Sequence, residues 1–264
     1  MSPELERPLV AGEKVLLIDH KSRRYLLTLQ AGAEFHTHAG ILSHDAIIGG
    51  EEGVSLRSSR GTTFRVVRPT LADFVLKMER GAQVIYPKDL GPLLLLVDVF
   101  PGARVLESGV GSGALSMTML RAGADVVGYE LREDFASRAR KNVVAMLGEE
   151  TLSRYRVELR DCYDGIDERG LDRIVLDLPE PWRVVPAARE ALRAGGIIVA
   201  YTPTIIQAVQ FREALGEHGF GLAQTLEVLQ RGWNIDGLSV RPDHRMVAHT
   251  GFLSAARRFA DPGA

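Results

Sequence analysis

The stretch Glu107-Ser-Gly-Val-Gly-Ser-Gly113 follows the apolar run Ala103-Arg-Val-Leu106 and precedes a helix-like run from Ala114 to Leu120. A strand, a glycine turn and a helix in this order form a cradle for a ligand. Gly109, Gly111 and Gly113 remove side chains where the backbone must turn sharply and let a ligand approach the main chain. The spacing is GxGxG, not the GxGxxG of dinucleotide sites. The next strand-like run, Asp125-Val-Val-Gly-Tyr129, ends in Glu130. A carboxylate at that place can accept both hydroxyls of a ribose. Together these features point to a cofactor that carries adenosine.

Charge narrows the choice of cofactor. The pyrophosphate of a dinucleotide favours a helix N-terminus free of nearby carboxylates. Here Glu107, Glu130, Asp161 and Asp177 each follow an apolar, strand-like run: Arg104-Val-Leu106, Val126-Val-Gly-Tyr129, Val157-Glu-Leu159 and Ile174-Val-Leu176. In a doubly wound parallel sheet those positions are the carboxyl ends of strands, where ligands bind. Four carboxylates suit a ligand that lacks phosphate and carries positive charge. S-adenosylmethionine, with its sulfonium and ammonium groups, has that chemistry. The bland alternative is an ordinary tight turn between strand and helix, and the four acids in step weigh against it.

Outward from this core the chain shows two rhythms. Up to about Pro69 it reads as short strands broken by turns: Lys14-Val-Leu-Leu-Ile18, Tyr25-Leu-Leu-Thr-Leu29, Val54-Ser-Leu56 and Thr62-Thr-Phe-Arg-Val-Val67. Thr70 is placed to cap a helix containing Phe74, Val75 and Met78, and Gln83-Val-Ile-Tyr-Pro-Lys-Asp89 follows. Beyond Pro101 strands alternate with helices, which implies right-handed crossovers and a parallel sheet. Phe135, Ala139, Val143 and Leu147 recur at four-residue spacing after Glu130, and Gly195 to Tyr201 reads as a further buried strand. Leu222 to Val228 and Thr250 to Ala255 are strand-like, separated by a long polar arm, and are expected to close an antiparallel hairpin. The expected organisation is a small β-rich domain over residues 1–69, a helical connector over 70–100, and a Rossmann-like α/β domain over 101–264.

Composition sets outer bounds. The chain has 264 residues, 45% hydrophobic and 25% charged, with a formal net charge of −2, enough for a sizeable core in one or two domains. Met1 to Val10, with Glu4 and Glu6, lacks the basic-then-apolar order of a signal peptide. The longest purely apolar run, Leu93 to Val97, is far short of the roughly 20 residues that span a bilayer. Cys162 is the only cysteine, so no intrachain disulfide can form. A cytoplasmic location without membrane attachment is expected. Cys162 has no recognisable activating base and reads as a small residue lining the cofactor pocket.

Asp177-Leu-Pro-Glu-Pro-Trp182 closes the strand Asp172-Arg-Ile-Val-Leu176. Pro179 and Pro181 stiffen the turn, which fixes the acid. Methyl transfer is a displacement at carbon, so the accepting atom must be held in line with the sulfonium methyl and away from water. A carboxylate bonded to the exocyclic amine of an adenine raises the nucleophilicity of N1 and takes the proton lost after transfer. Asp177 is placed for that role, against the plainer reading that it only caps the following turn. Trp182 is either a stacking residue or core. Phe35-His-Thr-His38, with His44, has no accompanying cysteine or carboxylate at metal-ligand spacing, so surface or RNA-contact histidines are expected and no metal. Lys21-Ser-Arg-Arg24 and the late arm with Arg231, Arg241, His244, Arg245, Arg257 and Arg258 are the basic regions expected to face a polyanion.

The assembled set resembles the TrmI family of tRNA (adenine-58-N1)-methyltransferases over nearly the whole chain. The matching stretches are Gly32-Ala-Glu-Phe-His-Thr-His38, Ile85-Tyr-Pro-Lys-Asp89, Val105-Leu-Glu107 with its glycine turn, Asp177-Leu-Pro-Glu-Pro-Trp182, Trp233 and the arm ending in His249-Thr250. The resemblance implies a Rossmann-like S-adenosylmethionine-dependent methyltransferase domain preceded by a small β-rich domain, a homotetramer, and methylation of N1 of adenine 58 in the T-loop of tRNA. It implies Asp177 as the catalytic carboxylate and Tyr86 as a residue that holds the pocket. For the cofactor it implies Gln83, Glu107, Gly109, Val110, Gly111, Ser112, Gly113, Ala114, Glu130, Phe135, Asp161, Cys162 and Asp177. Two positions depart from the pattern. Ser108 stands where relatives often have alanine, and Phe135 stands where some have a histidine or arginine, so a ring contact replaces a hydrogen bond there. A protein or small-molecule methyltransferase is the competing reading, opposed by the N-terminal β region and the proline-flanked acid. A nicotinamide-dependent oxidoreductase is opposed by the glycine spacing and the crowded acids.

Overall fold

Val15, Leu16 and Leu17 are buried in succession along Lys14–Asp19, and since neighbouring side chains of a strand point to opposite faces, this strand is covered on both. In the computed structural model, which describes residues 7–81 and 83–260, the chain divides into two compact units, with Met78 ending the first and Glu79 opening the second. The expected 70–100 segment is thus shared between the two units. The Glu4 and Glu6 stretch lies outside the described residues.

The first unit holds β1 (Lys14–Asp19), β2 (Arg24–Thr28), β3 (Glu34–Thr37), β4 (Gly40–Ser43), β5 (Ser55–Arg57), β6 (Thr63–Val67) and α1 (Leu71–Lys77). An antiparallel sheet runs in the order β2-β1-β6-β5, and β3 pairs with β4 as a separate hairpin. Its core is Leu9, Val15, Leu17, Leu29, Leu42, Ile47, Phe64 and Val66, with Phe35 packed against it and edge-on to Phe64 at 6.1 Å. The stretch read only as a histidine cluster is therefore β3 and its turn. His36 pairs with Glu34 at 3.0 Å, and His44 is buried where its Nδ1 accepts the Gln30 N–H at 3.0 Å. No metal-binding cluster occurs among the described residues. The arginines expected to face a polyanion are partly engaged: Arg23 pairs with Asp19 and Arg24 with Asp73. Asp73 also accepts the Thr70 N–H while Thr70 accepts the Asp73 N–H, a reciprocal cap that starts α1 where the sequence placed it.

The second unit holds α2 (Pro87–Val97), β7 (Arg104–Ser108), α3 (Ala114–Arg121), β8 (Asp125–Glu130), α4 (Glu133–Leu147), β9 (Tyr155–Leu159), β10 (Leu171–Leu176), α5 (Val185–Ala191), β11 (Leu192–Thr202), α6 (Ile205–Glu217), β12 (Phe220–Glu227), β13 (Trp233–Asp236), β14 (Ser239–Pro242) and β15 (Phe252–Arg258). A seven-stranded sheet runs β12-β15-β11-β10-β7-β8-β9; β11, β10, β7, β8 and β9 are parallel, and β15 is antiparallel to both its neighbours. The central parallel strands β8 and β10 are largely buried on both faces, as sheets covered by helices require, while the edge strand β9 carries the charged Arg156 and Glu158. β8 leaves β7 to one side and β10 lies on the other, so the strand order reverses between β7 and β10 and opens a crevice beyond their carboxyl ends. The polar arm between β12 and β15 carries the β13–β14 hairpin, whose Trp233, Ile235, Leu238 and Val240 are exposed.

Candidate active site

The site grows from the switch point. Leu176 pairs with Ser108 at the end of the β10–β7 ladder, and the Asp177 N–H extends it by donating to the Ser108 carbonyl at 2.9 Å. This brings Asp177 beside Gly109, a residue far from it in sequence. Gly109 has φ +87°, and a Cβ there would lie 2.1 Å from the Asp177 carbonyl oxygen, so no other residue fits. Gly113 caps α3 in the left-handed region at φ +82°. The turn is tied to the neighbouring strand: Gly111 N–H donates to Glu130 Oε2 at 2.9 Å, while Arg132 N–H donates to Glu130 Oε1 at 3.1 Å.

A narrow cleft is lined by Gln83, Glu107, Gly109, Val110, Gly111, Ser112, Ala114 and Asp177 of the expected cofactor set, joined by Val84, Ile85 and Leu115. Glu107 is fully buried; its Oε2 accepts the Ser116 hydroxyl at 2.5 Å, and its Oε1 is buried with no hydrogen-bond partner. Burial, with the Asp177 and Glu130 charges nearby, pushes its carboxyl up to about 8. An orphaned, buried carboxylate oxygen at a cleft among further acids fits a cationic ligand, as the sulfonium and ammonium groups of S-adenosylmethionine provide, and does not fit a phosphate.

Phe135, Asp161 and Cys162 do not line that narrow cleft, and neither do Gly113 and Glu130. Phe135 is half-buried in α4 with the Arg132 guanidinium 3.8 Å above its ring. Asp161 caps a short turn by accepting the Tyr163 N–H at 2.9 Å. Cys162 packs in the core cluster with Leu106, Tyr129 and Ile166, where burial pushes its thiol up to about 11. A thiol so raised is a poor nucleophile. Both follow β9, the outermost strand of the sheet, two places from β7. Trp182 is half-buried in the turn after Asp177 and does not line either cleft.

A second cleft, of about 430 Å³, meets the first at Gln83, Val84, Ile85 and Asp177 and is completed by Tyr86, Tyr201, Pro203, Val247, His249 and Thr250. Pro87 opens α2, where its missing N–H is harmless, and so sets Tyr86 at the cleft as the residue before the helix. Burial first, then the Glu130 charge, pushes the Asp177 carboxyl up to about 7. The Tyr201 hydroxyl donates to the Thr250 carbonyl at 2.6 Å, and burial pushes it up to about 12. Tyr201 was missed as a site residue, although it lies near the carboxyl end of β11 by the same logic that found Asp177. His249 and Thr250 belonged to a motif whose place in the fold the sequence left open.

Comparison with known proteins gives a consistent picture. Residues 63–241 match the family described as tRNA methyltransferase complex GCD14 subunit, and residues 8–56 match the TrmI-like N-terminal family. A tRNA (adenine(58)-N(1))-methyltransferase TrmI of Thermus thermophilus is 37% identical over 93% of this chain and 96% of that protein. The tRNA (adenine(57)-N(1)/adenine(58)-N(1))-methyltransferase TrmI of Methanocaldococcus jannaschii is 37% identical over 94% of this chain and 95% of its own. Among solved structures, TrmI of Aquifex aeolicus superposes with a TM-score of 0.83 at 29% identity, covering 96% of this chain and all, 100%, of the other. A SAM-dependent O-methyltransferase of Thermotoga maritima superposes with a TM-score of 0.91 at 32% identity, covering 97% and 96% of the two chains.

Proposed function

The chain belongs to the TrmI family of tRNA (adenine-58-N1)-methyltransferases, and from that premise we propose that it methylates N1 of adenine 58 in the T-loop of tRNA, with S-adenosylmethionine as methyl donor. The observation that carries this reading is the meeting of two clefts at Asp177, one rich in acids and one walled by Tyr86 and Tyr201. S-adenosylmethionine, when bound, supplies a methyl group on a cationic sulfur. Glu107 and the glycine turn hold that cofactor, and Glu130 accepts from its ribose hydroxyls. Tyr86 and Tyr201 bound the space for the flipped adenine, excluding water and aligning N1. Asp177 accepts a hydrogen bond from the exocyclic amine, which pushes electron density toward N1, and then takes the proton released as the charge on the methylated ring is relieved.

Glu130→Ala is expected to weaken S-adenosylmethionine binding roughly ten- to a hundredfold, since it removes charge-assisted contacts and frees the Gly111 N–H. Titration calorimetry on the variant checks this, and an unchanged dissociation constant would remove Glu130 from the cofactor site.

For the partners, we propose tRNA contact through the late arm. Arg231, Arg241 and Arg245 form no side-chain ion pair with a described carboxylate, unlike Arg23 and Arg24. Assembly as a homotetramer follows the resemblance. Exposed Leu95 and Leu222, in an apolar groove of the second unit, support it. Among the described residues no helix is long and apolar enough to cross a membrane, in keeping with action on tRNA in the cytoplasm. The deciding experiment is incubation with labelled S-adenosylmethionine and unmodified tRNA, then mapping of the labelled nucleoside. Label in 1-methyladenosine at position 58 supports the reading, at position 57 as well it broadens it, and label on a ribose oxygen or no label refutes it.

A further inference from the structure

The arm leaves β12 after Glu227, which pairs with Phe252, and returns to β15 through His249 and Thr250, so its two roots lie side by side and the returning one lines the second cleft. Two side chains bind both roots. Lys88 Nζ donates to Asp89 Oδ1 at 2.8 Å, to the Val228 carbonyl at 2.6 Å and to Thr250 Oγ1 at 2.6 Å, which uses all three of its protons. His249 has Glu227 Oε1 2.7 Å from Nδ1 and the Pro203 carbonyl oxygen 2.8 Å from Nε2. Neither the carboxylate nor the carbonyl oxygen can donate. A neutral imidazole has one N–H and can serve only one of them, so the arrangement calls for both ring nitrogens to be protonated.

We propose that His249 is a positioning residue of the reaction: as an imidazolium it laces Glu227 to the Pro203 carbonyl, fixes the wall of the adenine cleft, and releases the arm root when it loses a proton. The inference rests on the reading of that cleft as the adenine site. Facing the ring are Glu227 from β12, Lys88 from α2 and the Phe252 ring of β15 at 5.0 Å, while Tyr86, Tyr201 and Asp177 share its cleft and Asp89 stands behind Lys88. The Glu227 hydrogen bond, then the Pro203 carbonyl, hold the imidazole above the usual histidine range, against desolvation and the Lys88 charge. The sign follows. A histidine raised by its partners keeps its contacts below its unfolded value and loses them as pH rises through the folded one. Lys88 fastens the arm roots through its hydrogen bonds to Val228 and Thr250, and His249 adds the fastening that depends on pH.

The test uses the full chain with His249→Gln and Glu227→Gln, steady-state methylation of unmodified tRNA from about pH 6.5 to 9.5, and ring-nitrogen NMR of His249. In the parent the KM for tRNA is expected to rise about tenfold toward the alkaline end as one charge-assisted hydrogen bond is lost. In His249→Gln it is expected to be raised throughout and flat with pH, and in Glu227→Gln the rise moves to lower pH. Cofactor affinity stays at the parent value in both. A parent-like KM and pH dependence in His249→Gln overturns the proposal, as does a ring with a single N–H at pH 7 or a parallel loss of cofactor affinity. If the parent itself leaves tRNA unmethylated, the function is wrong, while the NMR still decides the state of the ring.

Discussion

Asp177→Ala is expected to lower the methyl-transfer rate by roughly two to four orders of magnitude, the range for losing a positioned acid–base group, while cofactor binding is largely kept. Asp177 is the side chain common to the acid-rich cleft and the tyrosine-walled cleft, and its backbone is anchored to Ser108. Single-turnover assays separate chemistry from release, and near-normal turnover would dismiss the assignment. The pH profile carries an independent signature. Burial and Glu130 push the carboxyl up to about 7, and only its ionised form can take the departing proton and offer the amine a charged acceptor. The single-turnover rate should therefore climb with pH through that value in the parent. In Asp177→Asn, which keeps the shape without the charge, the climb disappears.

Gly109→Ala is expected to be nearly as damaging although it adds one carbon. The left-handed φ of +87° alone strains an L-residue by about 1–2 kcal/mol. The added Cβ would sit 2.1 Å from the Asp177 carbonyl, backbone that cannot step aside as a flexible side chain can. Either the turn or Asp177 must shift, and a displacement of about 1 Å at a reacting centre can cost a hundredfold. Cofactor affinity and methylation rate should fall together, each by about a hundredfold or more, with a lowered melting temperature. Gly111→Ala is the control for the stability effect alone, because a Cβ there meets no protein atom within 4 Å and its φ of +55° is milder, while the position itself lines the cofactor cleft. An equal fall in melting temperature from both substitutions would show that the close approach of Gly109 to Asp177 is irrelevant.

How far the sequence could be read depended on whether an element's role lies along the chain or across it. Glu107, the glycine turn, Glu130 and Asp177 share one local signature, an apolar strand followed at once by an acid or a turn, and that signature reports the carboxyl edge of a parallel sheet. A strand's rank in the sheet is not written in its own residues, so the outermost place of β9, which Asp161 and Cys162 follow, emerges only from the strand pairing. The β3–β4 hairpin escaped because the histidines of Glu34–Thr37 drew attention from the burial pattern of Phe35 and Leu42. The second cleft was the least legible part. Gln83, Asp177, Tyr201 and His249 come from four distant segments, and only register and crossover geometry bring them together.

The place of β15 in the sheet bears on synthesis of the protein. β12 pairs only with β15, and β15 is inserted between β12 and β11. A nascent chain that has produced every residue through Glu227 therefore still presents one unsatisfied edge on β11 and a β12 with nothing to join. Both remain open until residues 252–258 emerge from the ribosome. Unpaired edges of this kind invite association with other chains. The arm of residues 228–251 is made in that same interval, so its length sets how long the growing protein carries those edges before its last described strand seals them.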